Sequence, residues 1–204
     1  MSQNLIKRII TSIILLSLLF LVSFSNQYIF ILSILILGII ICIEANNLFL
    51  KLLKKNQYGK TSLFKKFNIK FLTLNIIALS YIFLVFCNFS YEIYKYEGSI
   101  FFLYIISICF FTDIGGYVFG KIIGGKKLSK ISPNKTISGT VGSFLFSITP
   151  LIIILNFNYL DFELNLNNII FCLCISLISQ LGDLFISFIK RKAKIKDTGH
   201  ILPG

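Results

Sequence analysis

Residues 168–204 read NIIFCLCISLISQLGDLFISFIKRKAKIKDTGHILPG. The first part, residues 168–189, is an apolar run with a single acid, Asp183, and it leads directly into a segment rich in Lys. About 20 consecutive apolar residues span the hydrocarbon core of a bilayer as a helix, because a backbone inside lipid must satisfy its own hydrogen bonds. The run therefore predicts a transmembrane helix that ends at a cationic membrane surface.

Earlier runs repeat this pattern, and 56% of the 204 residues are hydrophobic. The predicted fold class is all-α: a polytopic transmembrane helix bundle of about six helices. This length leaves no room for a separate soluble domain, so we expect one membrane domain over residues 1–204. Residues 1–95 contain helices of generic character, whereas residues 96–204 contain the candidates for chemistry. The earlier apolar runs are residues 9–24, 28–43, 71–89, 99–120 and 139–160.

Positive charge is sorted between the loops. Lys and Arg gather in cytoplasmic loops of membrane proteins, and here basic loops alternate with loops that have no excess of positive charge. The alternation predicts a multi-pass protein of the cytoplasmic (inner) membrane of a bacterium, with both ends of this chain and the candidate site on the cytoplasmic side. Topology thus explains the net charge of +12. Nucleic acid is not an expected partner, because aromatic residues do not alternate with the cations.

Two acids, Asp113 and Asp183, lie inside predicted membrane helices towards their cytoplasmic ends. A carboxylate at membrane depth costs several kcal/mol unless it has a partner, so such acids are functional candidates. Hard oxygen ligands at one depth beside cationic loops suit magnesium, which often completes its shell with substrate phosphates and water. The alternative is that each acid caps a helix or pairs with a neighbouring Lys.

The loop over residues 126–142 alternates Lys with hydroxyl residues and Gly. Ammonium groups, hydroxyl groups and closely approaching backbone amides are what a triphosphate requires. The order of a Walker P-loop is absent, and a solvated cytoplasmic loop is the alternative. Just before this loop, Gly116, Gly120 and Gly124 share one face of the predicted helix, as in close helix packing of the G-x-x-x-G kind.

On the last helix, Asp183, Ser187, Lys190 and Arg191 recur at helical spacing and so share a face. One acid, one hydroxyl and two cations in line suit a metal followed by phosphate oxygens, and the planar guanidinium of Arg binds phosphate in bidentate fashion. The lone His200 is not expected to be a general base, because a phosphate nucleophile is already ionised. A hydrogen bond or a loop contact is the expected role for that residue.

Three stretches resemble the phosphatidate cytidylyltransferase (CDP-diacylglycerol synthase) family: SPNKT at 132–136, GDL at 182–184 and SFIKRKAKIKDTGHILPG at 187–204. The last one matches the pattern S-x-x-K-R-x-x-x-x-K-D-x-G followed by Pro-Gly. The resemblance implies a multi-helix membrane nucleotidyltransferase that condenses CTP with phosphatidate to CDP-diacylglycerol and pyrophosphate in phospholipid biosynthesis. In that family an acidic metal-binding segment follows the Pro-Gly. We therefore expect the carboxyl-terminal helices to be missing here, and these 204 residues alone to be inactive.

The resemblance and the residue patterns together assign expected roles. The predicted catalytic residues are Asp183, Lys190, Arg191, Lys196 and Asp197. The predicted substrate-binding residues are Ser132, Pro133, Asn134, Lys135, Thr136, Ser187, Gly199 and His200. The predicted metal ligands are Asp183, Asp197 and Asp113, for magnesium or another divalent cation. The expected partners are CTP, phosphatidate and membrane lipids, and the resemblance is compatible with a second, monovalent cation and with a homodimer.

Two other functional classes fit parts of the sequence. A CTP-dependent lipid kinase with related helices would transfer the γ-phosphoryl group instead. A cation-coupled membrane transporter would use the intramembrane acids to bind ions, but both acids lie towards one end of the membrane rather than at its midplane, and no inverted repeat is evident.

Overall fold

The computed structural model describes residues 3–54, 69–129, 132–133, 135–157 and 163–195, and within these ranges the regular elements are all helical. The predicted all-α fold class is therefore confirmed. In chain order the elements are α1 Gln3–Ser23, α2 Gln27–Lys54, α3 Ile69–Ser80, a π-helix Tyr81–Cys87, α4 Asn88–Ile122, α5 Ile137–Phe146, α6 Thr149–Phe157 and α7 Leu166–Ala193.

Four helical stretches of the described chain are long and apolar enough to cross a membrane: Gln27–Leu52, Phe71–Ile122, Ile137–Phe157 and Leu166–Ala193. By the length and composition of these helices the chain is a membrane protein. The apolar part of α1, Ile10–Ser23, is shorter. The predicted number of six spans is not confirmed.

The third and fourth predicted spans fall within one helical stretch, Phe71–Ile122, of 52 residues. One crossing of the hydrocarbon core takes about 20 residues, so this stretch has more than twice the residues that one crossing needs. Its regularity is interrupted at Gly98, where φ is 87° and ψ is 174°. Positive φ is accessible to Gly without steric cost. The expected polar loop at residues 90–98 is therefore helical up to this Gly.

The chain divides into two compact units, one of residues 1–96 and 192–204 and the other of residues 97–191. In the first unit α1 and α2 are joined by a tight turn. The Tyr94 hydroxyl donates to the Ser25 carbonyl oxygen in this turn at 2.7 Å, and the Tyr94 ring stacks on Phe30 with centroids 3.9 Å apart. The prediction of a single membrane domain stays a prediction.

The core of the second unit joins three helices. Tyr104 and Ile108 of α4, Leu151 of α6 and Cys172 of α7 are buried together. The Tyr104 hydroxyl and the Cys172 sulfur lie 3.1 Å apart in a hydrogen bond, which satisfies a polar group that would be costly to bury alone. This cluster holds α4, α6 and α7 against one another and so sets the frame on which the candidate site is built.

The predicted fifth span is divided into α5 and α6 at Ser147 and Ile148. Pro150 has no N–H to donate to the carbonyl four residues earlier, which is that of Phe146. The Thr149 hydroxyl donates to this carbonyl oxygen instead, at 2.7 Å. Helix breaks are tolerated at membrane depth where side chains satisfy the freed backbone groups, and this hydroxyl has that role here.

Candidate active site

The carboxyl-terminal half of α4 lies directly against α5 through Gly on both helices. A Cβ on Gly116 would lie 2.6 Å from the Ser143 Oγ atom, and one on Gly139 would lie 2.8 Å from the Gly116 carbonyl oxygen. A Cβ on Gly120 would lie 3.7 Å from the Gly139 Cα atom. The predicted G-x-x-x-G contact is thus present for Gly116 and Gly120.

The prediction that Gly124 shares this face is wrong. Helix α4 ends at Ile122, and Gly124 and Gly125 follow with φ of 63° and 101°. Nothing lies within 4 Å of a Cβ built on either of them. These two Gly turn the chain out of the helix, and neither takes part in the close Gly contact between α4 and α5.

The loop between α4 and α5 is closed by hydrogen bonds near both ends. Leu128 N donates to the Lys135 carbonyl oxygen at 2.8 Å, and Ile137 N donates to the Lys126 carbonyl oxygen at 3.0 Å. The Ser138 hydroxyl donates to the Gly124 carbonyl oxygen. The described part of the loop is therefore tied to the end of α4 and to the start of α5.

Thr136 is the N-cap of α5. Its backbone is extended, and its hydroxyl oxygen accepts from Gly139 N at 3.1 Å, which satisfies one of the free N–H groups at the helix start. The hydroxyl also lies 3.0 Å from the Ser138 Oγ atom. The predicted substrate-binding Thr136 thus has a positioning role, and a Thr ahead of an apolar run is a signal that sequence reasoning could have used.

Lys135, next to this cap, meets the acid of the last helix. Its Nζ atom lies 2.9 Å from Oδ2 of Asp183. The side chains are 32% and 55% exposed, so the pair is partly solvated. The sequence assigned the two residues to separate ligands, the Lys to a substrate and the acid to a metal. The alternative for Asp183, a pair with a neighbouring Lys, is present in this structure, and its role as a metal ligand stays a prediction.

Asp113 of α4 adds a second carboxylate to this cluster. It is within the range of charge interaction with both Asp183 and Lys135. One turn earlier, Cys109 lies near Ser179 of α7, so the two helices that carry the acids approach each other here. Three elements thus bring two negative charges and one positive charge together, and the two intramembrane acids singled out from the sequence are neighbours.

The donor chemistry of this cluster fits a hard divalent cation. Among the described residues no group of three or more His, Cys, Asp or Glu could hold a metal ion. Magnesium, however, is commonly bound through one or two carboxylates and completes its shell with substrate phosphates and water. Asp113 and Asp183 supply that number of carboxylates.

Helix α7 continues past the predicted end of its apolar run to Ala193, where Lys194 takes a φ of 57°. Ser187, Lys190 and Arg191 therefore stand on the same helix as Asp183, as their spacing predicted, and the side chain of Arg191 is exposed. The helix presents hydroxyl and cationic groups in the turns that follow the acid.

The remaining predicted residues are only partly described. The Ser132 carbonyl oxygen accepts from Lys135 N at 3.1 Å in the loop turn, and Pro133 is exposed. Ser138 and Ser143 were not predicted as site residues: the Ser138 hydroxyl donates to the Gly124 carbonyl oxygen, and Ser143 packs against Gly116 of α4. The predicted residues outside the described ranges are Asn134, Lys196, Asp197, Gly199 and His200.

A family model described as the cytidylyltransferase family matches residues 47–204. This chain belongs to the cytidylyltransferase family. The resemblance noted in the sequence is thereby confirmed, and the matched part of this cytidylyltransferase chain contains the Gly contact, the closed loop and the charged cluster.

Curated relatives agree with this family membership. The chain is 44% identical over 119 residues to the phosphatidate cytidylyltransferase of Staphylococcus aureus (strain COL), which is 57% of this chain and 44% of that protein. It is 41% identical over 110 residues to the phosphatidate cytidylyltransferase of Staphylococcus haemolyticus, 53% of this chain and 42% of that protein. The chain therefore spans less than half the length of these relatives.

Proposed function

We propose that the protein carrying this chain condenses CTP with phosphatidate to give CDP-diacylglycerol and pyrophosphate. Membership of the cytidylyltransferase family and the names of the relatives support this activity. The observation that carries the proposal is the contact of Lys135 with Asp183. It brings the loop with the expected phosphate-binding groups to the acid expected to hold a cation.

In the proposed reaction a phosphate oxygen of phosphatidate attacks the α-phosphorus of CTP. A new P–O bond forms there, the bond from the α-phosphorus to the bridging oxygen breaks, and pyrophosphate leaves with the electron pair. The attacking phosphate is already ionised and requires no general base. Catalysis then rests on positioning and on charge neutralisation.

The cations of the chain have distinct proposed tasks. Lys190 and Arg191, about two turns beyond Asp183 on α7, neutralise phosphate oxygens, and the guanidinium of Arg191 does so in bidentate fashion. Lys135 binds a phosphate of the nucleotide or of the lipid, and its neighbour Thr136 holds the backbone in place through the cap. Ser187 donates a hydrogen bond to phosphate oxygen.

We further propose that Asp183 and Asp113 hold a divalent cation, with Asp197 as a third ligand. When bound, this cation would supply Lewis-acid neutralisation of phosphate charge. Roles for Lys196, Gly199 and His200, a second monovalent cation and a homodimer stay predictions.

The membrane supplies the second substrate. Phosphatidate is a lipid, so its headgroup lies at the surface of the bilayer that the helices span. The alternation of basic loops supports a cytoplasmic position for the site in the inner membrane. The family match and the names of the relatives do not favour a CTP-dependent lipid kinase or a cation-coupled transporter.

Isotope transfer tests the proposed reaction. The natural full-length protein, purified and incubated with phosphatidate and Mg²⁺, is expected to place label from [α-³²P]CTP in the lipid, whereas [γ-³²P]CTP should label pyrophosphate only. Label from the γ-position in the lipid would establish a kinase instead.

A matched pair of variants tests the site. Asp183→Asn is expected to lower turnover by roughly 10²-fold or more, since it removes an anionic ligand of the proposed divalent cation. Glu163→Gln makes the same acid-to-amide change in the exposed segment before α7 and should leave turnover unchanged. Equal activities of the two variants would contradict the assignment of Asp183.

A further inference from the structure

The Lys135–Asp183 ion pair joins two groups that the proposed function needs for different ligands. A carboxylate that binds a metal must be open to that metal, and an ammonium that binds phosphate must be open to phosphate. In this structure each instead faces the other at 2.9 Å. A cation bound to the same carboxylate would lie next to the ammonium, and two like charges would repel each other.

Lys135 also balances more than one acid. Asp113 is within the range of charge interaction with both Asp183 and Lys135, so among the described residues this one ammonium is near two carboxylates. Without Lys135 this cluster would have an excess of negative charge, which attracts cations. The ammonium is therefore a competitor for any divalent cation at this site.

The pair can open without a rearrangement of the backbone. Lys135 N donates to the Ser132 carbonyl oxygen at 3.1 Å, and the Lys135 carbonyl oxygen accepts from Leu128 N at 2.8 Å. The next residue, Thr136, caps α5. The backbone of Lys135 is thus held on both sides, while its long, flexible stem can rotate the ammonium away from the acid.

We propose that Lys135 is an internal counter-ion of Asp183 that couples the binding of the divalent cation to the binding of the nucleotide. This inference rests on the proposed function. The cation displaces the ammonium from Asp183 and frees it for a phosphate, and a phosphate draws the ammonium away and frees Asp183 for the cation. Each ligand removes a competitor of the other, and this coupling is reciprocal.

The partial exposure of both side chains limits the size of the effect. Solvated ion pairs contribute little, and we expect a coupling of about fivefold, which at 1.36 kcal/mol for each factor of ten is about 1 kcal/mol. Such a pair is weak enough for the ligands to displace and strong enough to be measured.

The first test uses Mn²⁺ alone, without nucleotide. Binding is followed by electron paramagnetic resonance on the natural full-length protein in nanodiscs of phosphatidylcholine, a zwitterionic lipid. We expect Lys135→Met to bind Mn²⁺ about fivefold more tightly than wild type. Lys135→Arg retains the positive charge and should match wild type. Adding Asp183→Asn to Lys135→Met should abolish the gain.

Lys126→Met is the matched control, because it removes an exposed ammonium from the same loop outside the ion pair. It should change Mn²⁺ affinity by less than twofold. An unchanged or weaker Mn²⁺ affinity in Lys135→Met, or an equal gain in Lys126→Met, would overturn the proposal.

The second test measures the coupling itself with cytidine 5′-(α,β-methylene)triphosphate as an inert nucleotide. In wild type, Mn²⁺ should tighten binding of this analogue, and Lys135→Met should reduce that tightening by about fivefold. Undiminished coupling in Lys135→Met contradicts the inference even if wild type forms CDP-diacylglycerol. Conversely, a gain in Mn²⁺ affinity in a protein that forms no CDP-diacylglycerol refutes the proposed function and retains the counter-ion role of Lys135.

Discussion

The contact between α4 and α5 makes a sharp prediction at Gly142. A Cβ at this position would fall on the Phe119 side chain and 2.8 Å from the Gly115 carbonyl oxygen. Contacts between carbon and carbonyl oxygen are normally 3.3 Å or longer. Because the carbonyl belongs to a helix backbone, it cannot rotate aside as a flexible side chain would. Gly142→Ala must therefore push the two helices apart.

The expected magnitude follows from two opposing effects. Overpacking of a well-packed contact costs roughly 1–3 kcal/mol, whereas replacing Gly by Ala inside a helix returns about 1 kcal/mol. Gly182→Ala on α7 measures the propensity effect without the overpacking, since nothing lies within 4 Å of a Cβ there. The propensity gain is common to both variants, so their difference in stability, about 2 kcal/mol, is the packing cost alone.

Thermal unfolding measures this difference. Both variants would be purified in one detergent with the exposed Cys174 replaced by Ser, and heated with a thiol-reactive fluorophore, which reports exposure of buried thiols such as that of Cys172. For a chain of this length 1 kcal/mol shifts Tm by roughly 2–4 °C, so Gly142→Ala should melt about 6 °C below Gly182→Ala. Equal melting temperatures would refute the close contact of α4 with α5.

Two further predictions concern hydroxyl groups. Thr149→Val leaves the Phe146 carbonyl oxygen without the donor that replaces the missing N–H of Pro150, and it should lower the free energy of unfolding by about 1–3 kcal/mol. Thr149→Ser retains the hydroxyl and should keep the stability of wild type. Equal Tm values for the Val and Ser variants would contradict this role of Thr149. Thr136→Val removes the acceptor for Gly139 N and should lower the free energy of unfolding by about 1 kcal/mol, whereas Thr136→Ser retains the acceptor. The same thermal assay measures both variants. An unchanged Tm in the Val variant would exclude a capping contribution.

The sequence predicted that this chain is helical and membrane-spanning, but it did not predict the helix ends. The second apolar run was expected over residues 28–43, and α2 extends over Gln27–Lys54. Hydropathy reports which residues enter lipid, whereas a helix continues as long as its backbone hydrogen bonds do, also through polar residues such as Glu44 and Asn47. The expected loop at residues 90–98 is helical for the same reason.

At the candidate site the sequence identified the charged residues but not their partners. Asp183 and Lys135 are 48 positions apart in sequence, and only the packing of α5 against α4 and of α7 against α4 brings them together. Local patterns could indicate that an intramembrane acid needs a partner. That Lys135 is a partner of Asp183 followed only from the tertiary structure.

The division of the fifth span has a consequence for mutational tolerance. Its first half, α5, packs closely on α4 at Gly139 and Gly142, where an added methyl group has no space. Its second half, α6, packs through large side chains around Leu151, where swaps that conserve volume are usually tolerated. The break at Ser147 and Ile148 separates the two halves. Substitutions in this span should therefore be tolerated mainly in α6, whereas the small residues of α5, which follows the Lys135 loop, should tolerate no larger side chain.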